Sequence, residues 1–290
     1  MALINLEGAV DLHIHSHPCL FPRLVDDEQV ARGAAQAGLS AVLLKCHHES
    51  TVSRARALDR RFGELRVFGG IVLNYYVGGI NPASVEAALK LGAREVWMPS
   101  IDSENHAAVH GARGVYDVQA GGRQDTRPGI TVLDDRGQLT EPTREVLRLV
   151  ADYDAILGTA HLSFEESSQL LLGAREAGVK KVLVTHPFFK VPALSLDQLS
   201  YLVSLGGIAE FGYCTVSPMW AYATVGQVAA AIRRLGPESC VIMSDCGQTH
   251  NPPPHEGLRI MAQCLHEKGL SEAEVYSLVR DLPRRLLGLD

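Results

Sequence analysis

Short apolar, strand-like runs alternate with helix-like runs along almost the whole chain, and that rhythm leaves few folds open. The strand-like runs are Ala9–His15, Leu39–Cys46, Arg66–Asn74, Arg94–Pro99, Ala155–His161, Lys181–His186, Gly207–Tyr213 and Cys240–Asp245. Helical patterns follow them at Asp26–Ala37, Thr51–Phe62, Pro82–Leu91, Glu141–Tyr153, Phe164–Ala177, Ser195–Leu205, Val225–Leu235 and Glu256–Lys268, with glycines such as Gly38, Gly92, Gly178 and Gly206 just past helix ends. Strands that alternate with helices pair in parallel through crossovers. Runs such as Ala41-Val42-Leu43-Leu44 and Val241-Ile242-Met243 are apolar without interruption, as in strands covered on both faces. Eight such units in about 260 residues predict an α/β chain folded as a (β/α)8 TIM barrel. No Gly-x-Gly-x-x-Gly follows the first strand, which argues against a dinucleotide-binding open sheet.

The rhythm breaks once, over residues 101–140, which are rich in Gly, Asp and Arg. A long insertion after the fourth strand belongs at the active-site end of a barrel, so a lid is expected within a single domain spanning 1–290. A short hairpin is expected around Asp134-Asp135-Arg136-Gly137, and Ser271–Asp290 should form terminal helices against the outside. The net charge of −6 gives no electrostatic footprint for nucleic acid. No apolar run reaches the ~18 residues of a membrane span, and no secretory leader is recognisable. Six scattered cysteines form no Cys-x-x-Cys, so a reducing, cytoplasmic setting is the simpler expectation. The expected partner is a small-molecule substrate, with a homo-oligomer as a further option.

Barrel chemistry sits at the C-terminal ends of the strands, and the residues there are ligand types. His13 and His15 end the first strand and, two apart, face the same way. His161, His186 and Asp245 end the fifth, sixth and eighth. A lone His-x-His is as easily a surface pair, but imidazoles and a carboxylate at four strand ends suit a divalent ion. Zn²⁺ is the expected cofactor, one or two ions, with Mn or Fe as alternatives. Lys45, Cys46, His47 and His48 end the second strand. Lys45, His47 and Arg23 are candidates to hold an anionic substrate group. His106 and His110 fall in the insertion, and Cys46 reads as a small packing residue.

These residues resemble the amidohydrolase superfamily of metal-dependent hydrolases. The resemblance rests on Asp11-Leu12-His13-Ile14-His15, Thr159-Ala160-His161, Thr185-His186-Pro187 and Ser244-Asp245, and covers nearly the whole chain. It looks closest to a PHP-like branch, so no particular substrate is implied. It implies metal ligation by His13, His15, His161, His186 and Asp245, with Asp245 moving the proton of an attacking water and His186 or His161 helping to polarise the scissile group. Binuclear members carry a bridging Lys or Glu on the fourth strand. Here Val96-Trp97-Met98-Pro99-Ser100 ends that strand without one, so one ion is expected, or a bridge from Lys45 or Glu210. Glu210 lies in an apolar strand, so it should face the interior, where it needs a partner. An amide, lactone or phosphate ester could be cut. Metal-dependent decarboxylation, a non-catalytic metal- or ligand-binding barrel, and a Lys45 Schiff-base lyase are the competing expectations.

Overall fold

A computed structural model describes residues 3–116 and 127–289. Eight parallel strands run in chain order: β1 Val10–His15, β2 Ala41–Lys45, β3 Arg66–Val72, β4 Glu95–Trp97, β5 Ile156–Gly158, β6 Val182–Thr185, β7 Gly207–Gly212 and β8 Cys240–Met243. After β8 the chain returns to β1: the His15 N–H donates to the Cys246 carbonyl at 2.8 Å, and the Asp245 N–H to the His13 carbonyl at 3.0 Å. The (β/α)8 barrel expected from the alternation is therefore the observed fold.

The strand ends differ from the expected ones in an informative way. His161, His186 and Asp245 lie just beyond the paired segments, because the backbone turns out of the sheet there. Ala160, His186 and Asp245 have φ of 50°, 30° and 49°, a left-handed conformation that side chains with a Cβ rarely adopt. The turn aims each side chain across the barrel mouth instead of along the strand.

The barrel interior carries polar and aromatic groups at its inward positions. Asp11, His13 and His15 alternate along β1, and Glu95 and Trp97 alternate along β4. Room for Trp97 comes from the neighbouring strands. A Cβ on Gly158 of β5 would lie 2.5 Å from Trp97 Cδ1, and one on Gly70 of β3 would lie 2.6 Å from Trp97 Cζ3.

The insertion after β4 holds a helix, Glu104–His110, whose N-cap Ser103 accepts the His106 N–H. An antiparallel bridge joins Leu133 to Leu139 across Asp134–Gly137, where the hairpin was expected. Residues 117–126 of the expected lid lie outside the described residues. The tail forms helices at Glu272–Tyr276 and Leu282–Leu287, joined by a π-helical turn. Among the described residues no helix is long and apolar enough to cross a membrane.

Asp11 stitches the closure of the barrel. Its Oδ1 accepts the Ser244 N–H at 3.0 Å and the His13 N–H at 3.3 Å. Asp11→Ala leaves a buried N–H without a partner and should cost about 1–3 kcal/mol in urea unfolding. Asp11→Asn keeps an acceptor and should cost less; equal losses for the two variants would show that the acceptor does not matter.

Candidate metal centre

β1 and the turn after β8 bring three ligand-type atoms together. His13 Nε2 and His15 Nε2 lie 3.4 and 3.3 Å from the same oxygen, Asp245 Oδ1, and the three ligand atoms are within 4.8 Å of one another. All three residues are buried. Imidazole nitrogens and a carboxylate oxygen on a tetrahedral ion at ~2.0–2.1 Å would be spaced at about 3.3–3.4 Å. A charge-assisted hydrogen bond would instead be about 2.7–2.9 Å. The spacing therefore fits an ion better than a direct bond.

The nitrogens have identifiable neighbours. Lys45 Nζ is 3.0 Å from His13 Nε2; an ammonium only donates, so that nitrogen accepts, and His13 Nδ1 turns its proton toward Glu210, 3.7 Å away. Arg23 Nη2 lies 3.3 Å from His15 Nδ1 and donates to it. Burial, aided by Lys45, pushes His13 well below the usual histidine range. Burial, aided by Arg23, does the same to His15. Burial brings His186 down to about 3. Imidazoles of this kind stay neutral. His13 has its lone pair on Nε2, whereas His15, accepting from Arg23 at Nδ1, carries its proton on Nε2, so ligation through that nitrogen would require Arg23 to release Nδ1 and the proton to move there.

His161 and His186 face the same mouth, with ring centroids 5.1 Å apart, but lie outside the three-atom cluster. His161 is set by His106. The His106 Nε2 donates to the Val115 carbonyl at 2.8 Å, and the two Nδ1 atoms of His106 and His161 are 2.9 Å apart. A neutral His106 whose proton is on Nε2 can only accept at Nδ1, so His161 carries its proton on Nδ1 and offers a bare Nε2 to the cavity. Nothing local marks His106 in the sequence, because its partner is 55 positions away.

A second polar layer lies beneath. Glu210 on β7 and Glu95 on β4 are fully buried, and none of their carboxyl oxygens has a hydrogen-bond partner. Glu210 faces the interior, as its apolar strand suggested, and is not among the residues lining the cavity. Burial pushes it up to about 8, with Lys45 pulling the other way, and burial also raises Glu95. Glu95 is the acid on β4, but it sits two residues before Trp97, below the strand end, which itself carries no Lys or Glu. The one signal was a glutamate at an inward position of an otherwise apolar strand.

Above the cluster opens a cavity of about 240 Å³. Arg23, Lys45, His47, His161, His186 and Asp245 supply its polar wall, and Phe21, Tyr116, Phe189 and Trp220 its aromatic one. The His47 ring stacks on His15 at 4.8 Å, and its Nδ1 meets Ser100 Oγ at 2.9 Å. His250 also lines this cavity, its ring against Trp220 at 5.0 Å.

Solved structures with this architecture include an amidohydrolase from Pseudomonas aeruginosa (14% identity, TM-score 0.63, covering 96% of this chain and 95% of that one). A putative 2-pyrone-4,6-dicarboxylic acid hydrolase from Pseudomonas putida follows at 16% identity and TM-score 0.61, covering 99% of both chains. A 2,6-dihydroxybenzoate decarboxylase from Rhizobium matches at 13% identity and TM-score 0.54, covering 98% of this chain and 99% of that one. These neighbours are amidohydrolase-superfamily structures, and the likeness is one of fold. No curated protein matches the chain in sequence. By sequence the chain belongs to DUF6282, a family of unknown function, whose model matches residues 8–210.

Nitrogen-15 NMR of the metal-free protein should find the His161 proton on Nδ1, and His106→Leu should abolish that preference. A His161 proton on Nε2 in the unaltered protein would reverse the order of donors derived above.

Proposed function

We propose that the chain is a metal-dependent hydrolase acting on a small, planar, carboxylate-bearing lactone or amide. The observation that carries this reading is the convergence of His13, His15 and Asp245 at ion-like spacing on the floor of a cavity with cationic and aromatic walls. These three residues would hold one divalent ion, with Zn²⁺ suited to the donor set. When bound, such an ion lowers the pKa of water toward neutrality and draws electron density from a carbonyl oxygen.

The chain's own residues do the rest. Burial raises the Asp245 carboxyl to about 6 in the metal-free protein. With one oxygen on the ion, the other would be the acceptor for a proton from water and its donor to a leaving group. His161 and His186, neutral and facing the cavity, are placed to hydrogen-bond the reacting group. Arg23 and Lys45 are the cations that would orient a carboxylate, the arginine through two parallel bonds. Phe189 and Trp220, whose rings meet edge to face at 5.0 Å, form an apolar wall for a flat ring. Six free cysteines accord with a reducing compartment such as the cytoplasm.

The aromatic walls also favour a second reading, decarboxylation of an aromatic acid, which needs the ion but no attacking water. The two are separated by incubating ion-loaded protein with carboxylated lactones, anilides and aryl acids in ¹⁸O-water. Hydrolysis puts the label in the organic product; decarboxylation leaves the organic product unlabelled and one carboxyl group shorter.

Two variants test the site. The pair His13→Ala and His15→Ala should remove one ion from each chain; unchanged metal content would end the reading. Asp245→Asn should lower turnover at least about 100-fold, while keeping an oxygen on the ion and most of the substrate affinity.

A further inference from the structure

Beside the proposed active site lies a second group of ligand atoms that the hydrolase reading does not use. Cys19 Sγ, in the loop after β1, is 3.7 Å from His48 Nδ1. Cys46 Sγ, at the end of β2, is 3.9 Å from the same nitrogen. The three atoms all lie within 4.8 Å of one another.

His48 Nδ1 has one lone pair and can accept from only one thiol, yet two sulfurs converge on it; the other acceptor for the Cys46 thiol is the Pro18 carbonyl, at a long 4.0 Å. Bond lengths of ~2.3 Å to sulfur and ~2.0–2.1 Å to nitrogen, at a tetrahedral angle, give sulfur–nitrogen edges of about 3.6 Å and sulfur–sulfur edges of about 3.8 Å. The observed sulfur–nitrogen distances, 3.7 and 3.9 Å, lie a little above the first of these, as in a site that closes on its ion. The His48 ring is already held, by Tyr76 at 4.7 Å and Phe21 at 5.2 Å. Arg23 Nε donates to Cys19 Sγ at 3.3 Å, which favours a thiolate there, while the neighbouring Cys19 and burial push the Cys46 thiol up. Cys46 is buried, while Cys19 and His48 are half-buried, which leaves an entry path and room for water as fourth ligand.

We propose that Cys19, Cys46 and His48 form a second metal site, separate from the His13, His15 and Asp245 centre, that takes a thiophilic divalent ion such as Zn²⁺. On binding, each thiol gives its proton to solvent and the two thiolates and the imidazole close on the ion. The site clips the loop after β1 to the end of β2. That loop carries Phe21 and Arg23 into the wall of the main cavity, so the clip fixes part of the substrate-facing surface.

Cobalt(II) is the probe, because a thiolate ligand gives it an intense near-ultraviolet charge-transfer band and the His/Asp centre contains no sulfur. The full-length, reduced protein, freed of metal with a chelator, should develop that band on titration with one equivalent of cobalt for this site. Cys19→Ser and Cys46→Ser, each checked for a native circular dichroism spectrum, should lose the band together with one bound ion per chain. His13→Ala should keep the band while losing the other ion, which separates this site from the hydrolase reading. Absence of the band in the reduced protein, or its survival in Cys19→Ser, would overturn the proposal. So would a Cys19–Cys46 disulfide forming under peroxide in a reduced protein that binds no cobalt through sulfur.

Discussion

The interior of this barrel must accommodate more negative charge than it has cations to balance. Asp11, Glu95, Glu210 and Asp245 are all buried, against the buried ammonium of Lys45 and the guanidinium of Arg23 at the rim. An unpaired buried carboxylate costs several kcal/mol, so the group protonates or finds a counter-charge. Both responses are visible. Burial raises Asp11 to about 7 and Glu210 to about 8, while Lys45 pulls Glu95, Glu210 and Asp245 back toward ionisation. The Lys45 side chain packs its charge over the Trp97 ring at 5.4 Å, an arrangement in which a buried ammonium is tolerated. A divalent cation at His13, His15 and Asp245 would relieve the same imbalance from above. The polar interior is therefore expensive as scaffold and useful as a charged site.

That site depends on backbone turns that the barrel has to enforce. Left-handed conformations at Ala160, His186 and Asp245 cost on the order of 1–3 kcal/mol each and persist only where the surroundings over-determine them. Here the surroundings are strand pairing on one side and specific hydrogen bonds on the other. The Asp245 N–H is held by the His13 carbonyl, and the Ala160 N–H by Thr185 Oγ1 at 3.2 Å. Gly247, at φ 138°, lets the chain after β8 pass against the His15 carbonyl, where any Cβ would collide. Three of the seven described non-glycine residues with positive φ lie where the ligand-type side chains leave their strands, where the turn orients those side chains.

The eight-fold alternation and the His and Asp residues at strand ends were legible because both follow local rules: hydrophobic period, glycine stops and position along a strand. His13, His15, His161, His186 and Asp245, read at strand ends, lie near one another at one end of the barrel. What stayed hidden depends on distant pairs. Glu95 became significant only when β4 and β7 brought it toward Glu210. His106 gained its place from a helix in an irregular insertion, and Tyr116 and Trp220 meet over the cavity from segments about a hundred residues apart, their ring centroids 6.5 Å from each other. Cys46 read as packing because His48, two residues on, gains a second sulfur only when the loop after β1 folds Cys19 onto the pair.

That loop also joins the two polar centres physically. Arg23 donates through Nε to Cys19 Sγ and through Nη2 to His15 Nδ1, so one planar guanidinium touches a residue of each. Its rigidity matters, because the fork cannot shift toward one acceptor without turning away from the other. If an ion were held by Cys19, the sulfur would offer Arg23 less electron density, and the fork would lean more on His15 Nδ1. The proposed clip and the proposed centre would thus share one side chain, and a change at the thiol pair would be felt first at the His15 ring.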